Sequence, residues 1–125
     1  MITTNTADLF IQYGKSVLFK ELTTFVSLKF NMPTTVASSQ LCYGDCDSHY
    51  WENINFYIKN FDTLFSVNIG TDNGQDIKDT VIFIETNIYK GYNKYNVYVE
   101  TDDIENWKYL VKEFYRKLSE ELKTL

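Results

Sequence analysis

The sequence predicts an α+β fold: N-terminal helices, an antiparallel β-meander of about four strands, and a long amphipathic C-terminal helix packed on the sheet. Three observations predict it. Residues 104–122 repeat apolar side chains at helical spacing, residues 80–101 form two β-rich runs around a turn, and residues 9–26 carry a second helical stripe. With 125 residues, near the commonest domain size, the chain is expected to form a single domain over 1–125.

The elements follow in order. Thr6 or Asp8 starts a short helix holding Leu9, Phe10 and Tyr13, and Gly14 is a natural stop. From Lys15 to Phe30, Leu18, Leu22, Phe25 and Val26 share one helical face, while Val26, Leu28 and Phe30 also alternate as a strand end does. Asn31-Met32-Pro33 closes this element, because proline cannot continue it. Residues 34–49 hold Thr34, Thr35, Ser38, Ser39, Gly44, Asp45 and Asp47, all turn formers, and read as a loop.

Residues 50–61 fit two patterns. Tyr50, Trp51, Ile54, Tyr57, Ile58 and Phe61 match a helix, whereas Ile54, Phe56 and Ile58 alternate as in a strand. The strand over about 53–59 is favoured, because a turn at Asn60-Phe61-Asp62 then leads into Leu64–Ile69 as its neighbour. Asp72-Asn73-Gly74 signals a turn within 70–79. Thr80–Ile88 is a Val- and Ile-rich strand, Tyr89–Asn93 a second turn, and Lys94–Thr101 a strand with Tyr95, Val97 and Val99 on one side. Asp102 or Asp103 caps the last helix, with Asp102 and Glu105 spaced as a capping box. Its stripe is Ile104, Trp107, Val111, Phe114, Leu118 and Leu122; Lys108, Lys112, Glu113, Arg116, Lys117 and Glu120 face the other way.

Charge and composition narrow the function classes. Residues 31–107 hold twelve acids against four lysines, a net of −8, while residues 1–30 and 108–125 are slightly basic. An acidic body repels phosphate backbones, so no nucleic-acid partner is expected, and it steers basic partners inward. No apolar run is long enough for a membrane span, and Met1–Phe10 carries Asp8 without Lys or Arg, unlike a secretory signal. Two cysteines are too few for a disulfide scaffold, so a cytoplasmic location is expected.

Motifs with chemistry fail one by one. Cys42, Cys46 and His49 are residue types that zinc prefers, but a closed site needs a fourth ligand and no second thiol pair exists, so packed thiols are the simpler reading. Gly14-Lys15-Ser16 resembles the end of a phosphate loop, whose first glycine is here Leu9. Counting from Asp72, a calcium loop would want glycine where Ile77 stands and glutamate where Phe83 stands. One histidine, His49, has no local nucleophile signature beside it. No metal, no cofactor and no enzymatic activity are expected.

What remains is a binding surface. Tyr89, Tyr92, Tyr95 and Tyr98 recur every three residues, and on a strand Tyr95 and Tyr98 point to opposite faces. Tyrosine suits half-exposed strands, and it is also enriched at interfaces. Asp72, Asp76, Asp79, Glu85, Tyr92, Tyr98 and Glu100 combine charge and aromatic area on the meander and form the candidate surface.

In overall character the chain resembles the small immunity proteins of contact-dependent growth inhibition and related toxin systems: short, acidic, α+β, aromatic-rich and without its own chemistry. That resemblance implies a monomer or weak dimer whose acidic surface occludes the cleft of a basic toxin, commonly a nuclease. The alternatives from other classes are an acidic secretion chaperone holding an effector peptide as a dimer, a DNA mimic, and a small enzyme built around His49.

Overall fold

Alternation along the strands organises the sheet. In the computed structural model, β4 (Val81–Lys90) buries Ile82, Ile84, Thr86 and Ile88 and leaves Phe83, Glu85 and Asn87 half-exposed between them. That period of two puts one face on a core and the other toward water. The same alternation runs through β3 (Thr63–Asn73), where Phe65, Val67 and Ile69 are buried, and β5 (Asn93–Thr101), where Val97 and Val99 are. With β1 (Thr35–Cys46) and β2 (His49–Asn60) they make a five-stranded antiparallel sheet of order β1-β2-β3-β4-β5. The structure describes residues 5–30, 35–46, 49–60, 62–73 and 81–124, and side chains at 9–14, 16–29, 55, 57–59, 62–71 and 81–124.

The α+β meander and the packed C-terminal helix match the sequence expectation, with one strand more. Residues 34–49, expected as a loop, contribute β1. Its turn-forming residues are overridden by backbone pairing with β2, from Thr35↔Lys59 to Cys46↔His49, with a bulge between Val36 and Ser38. A strand at the sheet edge needs little propensity of its own once a neighbour supplies the ladder. Residues 53–59 are strand, within the longer β2. Asp72 and Asn73, expected in a turn, still belong to β3, Asp72 facing Val81 across the ladder. Gly91-Tyr92 turns β4 into β5, with Gly91 at φ +60°, a conformation glycine adopts without steric cost.

Gly14 does not stop the first helix. α1 (Asn5–Tyr13) runs through a π-helical turn (Gly14–Leu18) into α2 (Phe19–Phe30) without a break. The reason lies in the spacing of the buried stripe: Phe10, Gly14, Leu18, Leu22 and Val26 recur every four residues. A pure α-helix rotates such a row by about 40° per step, and a wider π turn takes that drift back. The stripe therefore stays on the sheet.

α3 (Trp107–Lys123) follows a 3-10 turn (Ile104–Asn106) and buries Leu110, Phe114 and Leu118. Asp103, one of the two expected caps, stands at the N-cap position of the 3-10 turn. Asp103 donates its backbone N–H to the Thr101 hydroxyl at 3.0 Å, and its carboxylate accepts from Asn106 Nδ2 at 2.6 Å. On the outside of α3, Arg116 bridges Glu113 and Glu120, holding the Glu113 carboxyl below its usual range.

Rings lock the helices to one another. Trp107 packs against Phe10 and Tyr13, with centroids 6.1 and 5.3 Å apart, and Phe25 meets Tyr115 at 5.0 Å. Tyr13 Oη donates to Glu21 Oε2 at 2.8 Å, and the buried Tyr115 Oη lies beside this pair. Burial, then the Glu21 carboxylate, push both phenols above their ordinary value. Neutral phenols thus contribute stability that is intact below about pH 10 and lost as pH rises beyond it, because the unfolded chain ionises first. We expect Tm to fall above about pH 10 more steeply in the wild type than in a Tyr13→Phe/Tyr115→Phe double variant. Parallel curves in a pH series of thermal melts would refute this.

Candidate functional site

The helices all pack on one side of the sheet: α1 and α2 over β1–β3, α3 over β4 and β5. The opposite face has no helix on it among the described residues. Strand register arranges that face in cross-strand rows. Asn55, Asn68, Glu85 and Tyr98 form one row; Tyr57, Ser66, Asn87 and Asn96 form the next; Lys59, Leu64, Tyr89 and Lys94 lie beyond. On the other side of the first row, Phe83 faces Gly70 and Glu100.

The side chains are tied to one another. Asn96 Nδ2 donates to Glu85 Oε2 at 3.1 Å and to Asn87 Oδ1 at 2.9 Å. Tyr98 Oη donates to Glu100 Oε2 at 2.8 Å, and the Tyr98 ring stacks on Phe83 with centroids 6.2 Å apart and planes 18° apart. Asn68 Oδ1 is buried without a hydrogen-bond partner among the described residues. Tyr57, Tyr89 and Tyr98 are each about two-fifths exposed, at 38%, 38% and 40%. Large rings half in water over a fixed amide lattice give contact area with little entropy to lose, the property of interface tyrosines. The charges on this face are mixed, Glu85 and Glu100 against Lys59 and Lys94. Four carboxylates stand close together at the Glu100 end, where Asp102, Asp103 and Glu105 follow Glu100 on the chain.

Of the residues singled out by sequence, the structure brings Glu85, Tyr98 and Glu100 together on this face. Asp72 sits on β3 opposite Val81, at the Glu100 end of the sheet; its side chain lies outside the described part, and Asp76 and Asp79 lie outside the described residues. Tyr92 is fully exposed in the β4–β5 turn, eight residues along the chain from Glu100 and so roughly 25 Å away. It belongs to the other end of the sheet. Phe83, Tyr57, Asn68, Asn87 and Asn96 were not singled out. The parity of β4 could have found Phe83 and Asn87, since both share phase with Glu85 and not with the three buried isoleucines.

Cys42 and Cys46 stand on β1, and Cys46 pairs with His49 at the start of β2; their side chains lie outside the described part. Among the described residues no group of three or more His, Cys, Asp or Glu is placed to hold a metal ion. No described helix is long and apolar enough to cross a membrane. The α3 stripe lies in the chain's own core through Phe114 and Leu118, with Leu110 buried beside them where the sequence pointed to Val111, which is only half-buried. Comparison with protein-family models, curated proteins and solved structures returns no match.

Proposed function

We propose that this chain is an immunity-type protein that binds a basic toxin, of the nuclease class, and occludes its active site. The observation that carries the reading is the open face of the sheet. Its rings are half-exposed, Asn96 ties Glu85 and Asn87 together by hydrogen bonds, and no described helix lies over it. A rigid, partly aromatic face loses little freedom on binding, so its contact area converts efficiently into affinity. The overall charge of −5, with carboxylates gathered at the Glu100 end, supports capture of a cationic cleft at a rate that falls with salt.

The test is co-expression with a toxin encoded by an adjacent reading frame. Cells carrying both should survive induction, and the two proteins should co-purify as a complex that weakens severalfold toward about 0.5 M NaCl. Tyr98→Ala should weaken the complex by about tenfold or more, as truncation of a central interface ring does. Survival unaffected by the chain would sink the reading. A stable dimer gripping an extended effector segment, without neutralisation, would favour the secretion-chaperone alternative.

A further inference from the structure

We propose that the groove between β5 and α3 seats an extended, Lys/Arg-bearing segment of the partner, laid along the edge of the sheet. This deepens the reading above and rests on it: the basic partner is the same, and the groove is where one of its segments is held.

The groove encloses about 760 Å³, within the range of ligand-holding clefts, and runs between Tyr98–Thr101 and the outer side of α3. Among the described residues, Glu100, Asp103 and Glu113 line it against one lysine, Lys117, with the Glu100 carboxylate at the rim, on the open-face side of the edge strand. Each carboxylate already has a partner: Tyr98 Oη for Glu100, Asn106 Nδ2 for Asp103, Arg116 for Glu113. An ionised carboxylate has about four acceptor positions, so these bonds orient the groups and leave them able to receive cationic donors. Tyr109 adds ring surface, being 68% exposed. Rings beside carboxylates suit the long stems and charged heads of Lys and Arg.

The sheet edge makes an extended segment the fitting occupant. β5 is the last strand of the sheet. The two-residue Gly91-Tyr92 turn makes Lys90 and Asn93 a hydrogen-bonded pair, and bonded and non-bonded pairs then alternate along the ladder. Lys94, Asn96, Tyr98 and Glu100 therefore aim their main-chain groups away from β4. The Lys117 ammonium, 3.5 Å from the Tyr98 carbonyl, marks that outward direction and shows that it opens on the groove. A lysine on a strand edge also guards against unwanted pairing. Here a basic segment would displace that ammonium and pair with the outward main-chain groups at Asn96 and Glu100, the strand-addition mode of peptide recognition.

The probe is a fluorescein-labelled, unstructured dodecapeptide alternating Arg and Thr, followed by anisotropy at about 50 mM salt. The wild-type chain should bind it, and an alternating Glu-Thr peptide should not bind. Glu100→Gln/Asp103→Asn/Glu113→Gln should weaken binding about tenfold or more, whereas Asp62→Asn/Glu120→Gln/Glu121→Gln, which removes the same charge elsewhere, should change it by less than about threefold. Tyr109→Ala, at an exposed position, should weaken binding with an unchanged salt slope, and Lys117→Gln should tighten it. Equal losses in the two triple variants would overturn the proposal in favour of bulk charge. So would a Lys117→Gln chain that dimerises in sedimentation without binding the peptide more tightly, since the occupant would then be a second copy. If the groove variant protects toxin-bearing cells as well as wild type, this inference fails and occlusion by the open face stands. Absence of protection by the wild-type chain overturns the toxin reading, and the peptide measurement still decides the groove.

Discussion

Ile84→Lys is expected to leave the chain unfolded, while Asn87→Lys, three residues along the same strand, costs about 1 kcal/mol or less. Ile84 is fully buried at the centre of β4, opposite Ile69 on β3 and Val99 on β5, both also buried. A lysine there must either strip its ammonium of water among aliphatic side chains or push α3 from the sheet. The effective penalty of burying an unpaired charge is several kcal/mol, and the isoleucine's packing is lost as well. Together these rival the whole stability of a typical domain. Asn87 has the opposite phase and is half-exposed, so a lysine there loses the 2.9 Å bond from Asn96 and keeps its charge in water. Circular dichroism and urea melts of the two variants check the contrast. If Asn87→Lys also unfolded the chain, the second face would be covered, and the binding reading built on it would fall with it.

Phe114→Ala is expected to lower stability by about 3–5 kcal/mol, the cost of deleting a fully packed ring and leaving a partly collapsed cavity. Phe114 is fully buried at the middle of α3, between Leu110 and Leu118 in the stripe that meets β4 and β5. It also contacts its neighbour Tyr115 edge-on at 5.8 Å, and Tyr115 in turn meets Phe25 of α2. The ring thus sits between the sheet and the residue, Tyr115, through which the C-terminal helix reaches α2. Loss of the ring should depress the midpoint of a urea melt with little change in slope, because the same surface is exposed on unfolding. A loss below about 1 kcal/mol would mean that α3 is not docked as described.

The legible parts of the fold were those in which local pattern and tertiary role agree. The α3 stripe, the Val- and Ile-rich β4 and the alternation of Tyr95, Val97 and Val99 each announce a buried face by spacing alone. β1 was not legible, because its Ser, Gly and Asp residues favour turns and its pairing energy comes from β2. Gly14 misled for a related reason. Glycine is a helix stop only where the backbone turns left-handed, and among the described residues Gly91 is the glycine at positive φ. The candidate surface was legible in part. Tyr98, Glu85 and Glu100 share phase on adjacent strands, but Tyr92 sits at the far turn, and Tyr109 and Lys117 come from a helix whose outer side looked like ordinary solvated surface.

By itself the sequence determined the class of the molecule. Periodicities of 3.6 and 2 specify which side chains must leave water, and the composition specifies an acidic chain without a recognisable catalytic motif. Only the tertiary structure decided which face of the sheet the helices cover and which edge borders a groove. Both depend on where a helix docks, and a stripe records that it must be buried without recording against what. The acidic meander of the sequence thereby becomes two specific places: an open face centred on Phe83 and Tyr98, and a groove where Glu100 meets α3.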